Sequence, residues 1–355
     1  MTDRPFEVRD DLREVPPYRA PQVQAPIRLN TNECPWPPPD GFSQDLARAI
    51  ASLDLHRYPD RDARAAREGL GARHDWPAEG VWVANGSNEI LQTVLLAFGG
   101  AGRNVVLFEP TYAMYRHIAR VTGTGVITRD VPEPWMLDPA SVAWGVTFEP
   151  AALTFLCSPN NPTGNAQSLD VVRAALDAGA GLVVVDEAYG EFGGESCVSL
   201  LPNHDRLVVI RSFSKSWRLA GARVGYLLAN PWLVEALQIV RLPYHVSALT
   251  QAAVETALKH QGAILSGVGE IVAERDRLAK ELERVPGVEV FPSDANFLLF
   301  RTPRDGSALW EALAALGVVV RDFSSTIPRA LRVTVGTAEQ NAVFVETLRG
   351  VLADE

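Results

Sequence analysis

Lys215 stands in the run S-F-S-K-S-W-R-L-A-G-A-R-V-G, residues 212 to 225. Two hydroxyls, Ser212 and Ser214, come just before it, and Arg223 follows eight residues on. A lysine among small hydroxyls after an apolar strand suits an amine that reacts with an aldehyde beside a phosphate. Arg223 would add charge-assisted hydrogen bonds to that phosphate. Asp186 closes a second apolar run, G-L-V-V-V-D. A carboxylate there either caps the next helix or keeps a ring nitrogen protonated, which turns the ring into an electron sink. Tyr189, three residues on, reads either as a half-buried packing tyrosine or as a donor to a phenolic oxygen.

Further parts lie upstream. Ser87 and Asn88, in N-G-S-N-E, open a helix after a strand, where backbone N–H groups receive a phosphate; plain capping by Ser87 is compatible with that. Asn161, in S-P-N-N-P-T-G, is either a bare turn residue or a second donor to the phenolic oxygen. Tyr112, in E-P-T-Y, is placed at a strand end to stack on a ring, whereas Tyr115 reads as packing. Together these are an amine, an acid, a phenolic-oxygen donor, a phosphate cradle and an aromatic face. They are the parts that a pyridoxal 5′-phosphate (PLP) site needs, with Lys215 as the Schiff-base lysine.

Other chemistries lack their signals. The chain has no G-x-G-x-x-G after a strand, no G-x-x-x-x-G-K-[ST] and no H-E-x-x-H. Its six histidines are scattered, and only His245, in L-P-Y-H, lies near the expected site. The cysteines, Cys34, Cys157 and Cys197, have no metal-ligand spacing, so no metal is expected, and a reducing cytoplasm suits them better than a disulfide framework. A formal charge of −10 argues against a nucleic-acid partner. It leaves room for a small anionic substrate gripped by local arginines. The polar, acidic N-terminus is no signal peptide, and no apolar run reaches membrane-spanning length.

The elements that must position these residues follow from pattern. Residues 1–40 are proline-rich and aperiodic, and read as an extended arm. Ser43 is an N-cap candidate for a helix reaching Leu53. From residue 81, continuous Val/Leu runs alternate with helices, which predicts a mostly parallel α/β sheet buried on both faces. Ligands gather at the C-terminal ends of such strands, where the polar residues above fall. A helical stretch from about 248 to 284, broken near Gly267, leads into a smaller α+β region. The expected organisation is therefore an arm (1–40) packing with the small domain, a large domain (41–245) and a small domain (246–355).

As a set, N-P-T-G, D-E-A-Y and S-x-S-K-x-x-x-L-A-G-x-R-x-G resemble the fold-type I PLP-dependent aminotransferases of class I/II. Within that family the chain looks most like the histidinol-phosphate branch, through V-P-P-Y, L-N-T-N-E, R-Y-P-D, G-S-N-E-I-L, P-T-Y-x-M-Y, L-P-Y-H and L-R-V-T-V-G-T. The resemblance implies a seven-stranded sheet in the large domain and an active homodimer, in which Tyr58 reaches the PLP phosphate of the neighbouring subunit. It implies that Arg332 and Arg321 hold the substrate phosphate, or that Arg332 holds the carboxylate of glutamate. It also implies that Tyr18 closes over the substrate, and that Asn88 and Tyr244 enclose its imidazole. Cys34 stands where the family has an asparagine, and Arg329 is a second candidate for either arginine role.

The implied reaction is ping-pong amino transfer between histidinol phosphate and 2-oxoglutarate in histidine biosynthesis, with Lys215 as general base. Three other readings share the cofactor residues: an aromatic amino-acid aminotransferase, a phosphothreonine decarboxylase, and a PLP-fold binding protein without turnover.

Overall fold

The apolar runs assemble into one seven-stranded sheet. The computed structural model describes residues 8–13, 15, 17, 23–149 and 151–353. After a short strand β1 (Ile27–Arg28), the large sheet holds β2 (Val81–Ala84), β3 (Asn104–Glu109), β4 (Gly125–Asp130), β5 (Leu153–Cys157), β6 (Leu182–Asp186), β7 (Leu207–Ser212) and β8 (Gly225–Ala229). Their order is β2-β8-β7-β6-β5-β3-β4. Neighbours are parallel except at β8, which runs antiparallel to both β2 and β7. Residues 213–224 hold the Lys215 turn and one 3-10 turn rather than a crossover helix, so the chain reverses there.

Side chains alternate between the faces, as a strand demands. Val183 and Val185 join Val106, Leu156 and Val209 on one face, and Val184 joins Val105, Leu107 and Val208 on the other. Helices Ser87–Phe98, Met114–Val121 and Pro231–Leu237 cover the second face, while Arg64–His74, Leu169–Ala178 and Ala248–Lys259 contribute to the first.

Some elements differ from expectation. The first helix begins at Asp40 rather than after Ser43: Pro39 ends the proline run and takes the N-cap position, which puts Asp40 at the favourable end of the helix dipole. Strand β4 and helix Pro139–Thr147 were not anticipated. The strand is a partly exposed sheet edge carrying Thr128 and Arg129, so it lacks the continuous apolar run of its neighbours. The helix is capped by Asp138, whose carboxylate accepts the Ser141 N–H at 3.0 Å.

After residue 247 the helical stretch breaks into Ala248–Lys259, Gln261–Leu265 and Val268–Glu283. The first still buries Val254 and Ala257 in the large core; the last buries Leu278 and Leu282 in the small one. The helix between them still buries Ile264 in the large core, so we place the hand-over between the two bodies after Leu265.

The small body is an antiparallel sheet of β9 (Glu289–Val290), β10 (Phe297–Arg301), β12 (Arg321–Asp322) and β13 (Ala330–Thr334), in the order β12-β13-β10-β9. Its remaining strand, β11 (Val318–Val319), pairs in parallel with β1. Leu29 extends that contact: its N–H donates to Val319 O at 2.7 Å, and its carbonyl accepts the Thr334 N–H at 2.9 Å. Residues 27–29 are thus sewn to the small body by backbone bonds. Among the described residues, no helix is long and apolar enough to cross a membrane.

Candidate active site

A cavity of about 400 Å³ opens at the C-terminal ends of β5, β6 and β7, facing the β12–β13 hairpin. Lys215, Asp186 and Tyr189 line it, as do the expected phosphate, ring and anion residues Ser87, Asn88, Tyr112, Asn161, Ser212, Ser214, Arg223, Arg321 and Arg332.

Lys215 is half-buried and donates from Nζ to the Thr31 carbonyl at 2.8 Å. Desolvation, helped by the positive charges of Arg332 and Arg223, pulls its pKa down to about 7. At neutral pH a large share of the side chain is therefore the neutral amine, the nucleophilic form. Asp186 is 4% exposed, and burial pushes its pKa up to about 6. Two bonds oppose that rise and fix the carboxylate: Tyr115 Oη donates to Oδ2 at 2.9 Å and the Ala188 N–H to Oδ1 at 3.1 Å. No helix starts directly after Asp186, which removes the capping alternative.

Tyr115 packs as the sequence reading expected and does more. It lies edge-on to Tyr112 at 5.4 Å and to Phe155 at 5.3 Å, and it is fully buried. Its hydroxyl nevertheless has a task, holding the acid. Tyr112 precedes the helix Met114–Val121, and the two tyrosines share the turn that opens it, with the Tyr115 N–H donating to the Tyr112 carbonyl at 3.0 Å.

The anion cradle depends on glycines. Gly86, at φ +90°, is the N-cap of helix Ser87–Phe98 and offers no side chain to cap it. A Cβ at Gly86 would lie 2.5 Å from Arg223 Nη2, and one at Gly225 would lie 2.5 Å from the Ser87 nitrogen. Both must be glycine for the helix start to sit against the Arg223 turn. Arg223 Nη1 reaches Ser214 Oγ at 3.4 Å, and the Ser214 N–H donates to Ser212 Oγ at 3.1 Å.

The opposite wall carries two arginines. In the hairpin register, Arg321 faces Arg332 across β12 and β13. Arg332 is 5% exposed and lies between the rings of Phe297 and Phe323, at 5.0 and 5.2 Å. It donates from Nη1 to Asn161 Oδ1 and from Nη2 to the Asn30 carbonyl at 2.8 Å. Arg329 is exposed at the hairpin turn, at φ +62°, and does not line the cavity.

Residues Asn30 to Glu33 form part of the same wall, a role that sequence reasoning did not assign. Their signal was the motif L-N-T-N-E, seen only as a mark of resemblance. Cys34 turns away from the cavity and packs in the apolar cluster of Tyr189 and Phe297, and burial raises its thiol pKa.

Three expected residues are not among the described lining of this cavity, and for Tyr58, expected in the neighbouring subunit's site, that is no departure. Tyr18 lies outside the described residues. Tyr58 and Tyr244 stack on each other at 4.5 Å, away from this chain's cavity, and are 80% and 40% exposed. The cause is the path of residues 238–244, held along the 55–62 segment by the Arg241–Asp62 ion pair at 3.0 Å. His245 stacks on Trp82 at 5.2 Å and its Nε2 meets the Val83 carbonyl, so it is a packing residue.

With this geometry in view, residues 25–348 match the family described as aminotransferase class I and II. The chain is 48% identical to the histidinol-phosphate aminotransferase of Frankia casuarinae, over 96% of this chain and 89% of that relative. It is 46% identical to the enzyme of the same name from Mycolicibacterium smegmatis, over 97% of this chain and 93% of that relative. The crystal structure of histidinol-phosphate aminotransferase from Sinorhizobium meliloti in complex with pyridoxal 5′-phosphate has a similar fold. The TM-score is 0.84 at 23% identity, covering 92% of each chain.

Proposed function

The chain belongs to the class I and II aminotransferase family, and we propose that it exchanges an amino group between L-histidinol phosphate and 2-oxoglutarate, with PLP at Lys215, as a cytoplasmic enzyme of histidine biosynthesis. The observation that carries the substrate is the pair of guanidiniums, Arg321 and Arg332, on facing hairpin positions in the cavity wall. They lie across the cavity from the cradle of Arg223, Ser212 and Ser214. Two separate anion sites suit one phosphate on the cofactor and another on the substrate. In the second half-reaction, Arg332 takes the carboxylate of glutamate.

The residues present fit PLP. An uncapped helix start, two serines and Arg223 converge where glycines leave no room for other side chains. Asp186 and Tyr112 line the same space. When bound, the cofactor supplies an electron sink for the carbon that carries the amino group. Asp186 holds a proton on the ring nitrogen, its carboxylate kept in place by Tyr115 and Ala188. Asn161 accepts Arg332 at Oδ1, which leaves its NH₂ group to donate to the phenolic oxygen beside Tyr189. Lys215, as a neutral amine, would hold the cofactor through its aldehyde carbon, and when free of it would serve as the base that takes the proton from the amino-bearing carbon. Asn88, whose Oδ1 accepts the Tyr112 hydroxyl at 3.3 Å, holds the stacking ring and borders the substrate's imidazole.

The active unit in this reading is a homodimer. Tyr58, Leu55, Ile239 and Leu242 are 80, 65, 85 and 75% exposed, and the Arg241–Asp62 pair holds their two segments together. A second copy would cover this face, and the exposed Tyr58 would then enter the partner's site, with Tyr244 beside it.

The test is a substrate panel with 2-oxoglutarate as acceptor. Histidinol phosphate is expected to have the highest kcat/KM, ahead of histidinol and phenylalanine. A higher value for phenylalanine identifies an aromatic aminotransferase, and carbon dioxide release without an acceptor identifies a decarboxylase.

A further inference from the structure

Asn32 lies in the wall formed by the N-terminal segment, 1% exposed, with a left-handed backbone at φ +56°. Its backbone N–H donates to Thr334 Oγ1 at 2.9 Å, and its backbone carbonyl accepts Asn296 Nδ2 at 3.1 Å. Its side-chain Oδ1 accepts the Thr334 hydroxyl at 3.0 Å. Its Nδ2 donates to Tyr189 Oη at 2.9 Å. Asn32 therefore ties four segments together: the arm, the residue before β10, strand β13 and the loop after β6.

A phenol has one proton and two acceptor lone pairs. On the Asn32 side of Tyr189 an N–H already points at the oxygen, so the phenol proton must leave in another direction. Tyr189 borders the cavity, and that direction is open. We propose that Asn32 is a positioning residue that aims the Tyr189 proton into the cavity, toward the cofactor's phenolic oxygen. Burial pushes the Tyr189 pKa up to about 12, so the proton is present at neutral pH. The inference rests on the PLP reading above and adds a residue to it. It also explains why an arm residue is buried against the large sheet's loop: the arm turn selects which way one hydroxyl donates.

The test uses the PLP-bound enzyme and reads the pH midpoint of the visible absorption band of the lysine-bound cofactor. Asn32→Asp preserves size and suits the left-handed backbone, but an ionised carboxylate only accepts, so the phenol must turn toward it. The cofactor's phenolate then loses a donor and holds the neighbouring proton harder. The expected result is a midpoint raised by about one pH unit, the scale of one hydrogen bond. Asn32→Gly keeps the backbone conformation, removes the amide and is expected to raise the midpoint less. It serves alone if the aspartate variant does not fold. Tyr189→Phe should raise the midpoint by itself, and adding Asn32→Gly, which brings no charge, to Tyr189→Phe should shift nothing further.

An unshifted midpoint in the Asn32 variants overturns the proposal. So does an Asn32→Gly shift that persists in the Tyr189→Phe background, because Asn32 would then act independently of the phenol. Arg332, Asp186, Lys215 and the Cys157 thiol, the other titratable groups around Tyr189, are unchanged in every variant. If wild-type protein shows no visible band with PLP, the cofactor reading itself fails. A band that ignores Asn32 sinks only this inference.

Discussion

The two walls of the cavity are built in different ways. The wall with Lys215, Asp186 and the anion cradle uses residues 86–225, all at strand ends or the helix start of one sheet. The wall with Arg321, Arg332 and Asn30 to Glu33 joins the two ends of the chain. Its central tie, Asn32 to Thr334, spans 302 residues of sequence. In the first wall the backbone ladder of the sheet brings the side chains together: Cys157 is level with Asp186, and Asp186 with Ile210. In the second, side chains meet only because an arm docks on a separate body. In the proposed reading, chemistry common to any amine substrate sits on the first wall, and selection of the substrate's anion sits on the second.

The strongest way to break this comparison is to remove the amine. Lys215→Ala is expected to lower transamination by about 10³-fold or more, the scale of losing a general base, in a single-turnover assay of PLP-loaded protein. A near-wild-type rate would mean that the first wall is not where reaction occurs.

Next in size is Arg321→Ala. Losing a charge-assisted contact to phosphate should raise KM for histidinol phosphate by about 10- to 100-fold. The PLP dissociation constant and the phenylalanine rate should stay near wild type. Equal losses on all substrates would erase the division of labour between the walls.

The smallest effect sharpens the comparison by showing how the walls influence each other. Capture of PLP by the apo-protein needs the neutral amine, so its rate should rise with pH through a midpoint of about 7. Arg332 is one cause of that low value, after burial. Replacing it with leucine removes a positive charge that disfavours the ammonium, so the midpoint should move to higher pH. A midpoint unchanged in Arg332→Leu would mean that the second wall does not tune the first.

Legibility in the sequence follows the same division. The strands V-W-V-A, N-V-V-L-F-E and L-V-V-V-D were readable because strands buried on both faces are continuously apolar. The edge strand β4 was not, because one side of it meets solvent. Tyr112 and Asn161 were readable as candidates from their turns. Tyr115 was readable as packing, but its bond to Asp186 was not, because a hydroxyl at the end of a packed ring leaves no trace in a hydrophobic pattern. The Thr31 to Glu33 wall was visible only as a motif, since nothing local distinguishes a polar arm turn in solvent from one buried against Tyr189.

The sequence by itself determined the candidate reacting groups and the sheet that carries them. A lysine after one apolar strand and an aspartate ending another are local facts, and parallel β pairing aligns such strand ends. Only the tertiary structure decided what those groups become. Burial and neighbouring charges draw Lys215 and Asp186 toward neutrality. Asn32 meets Tyr189, and Arg321 faces Arg332, through contacts between distant segments. Desolvation and long-range contact depend on what the rest of the chain places around a residue, and no short stretch of sequence contains that information.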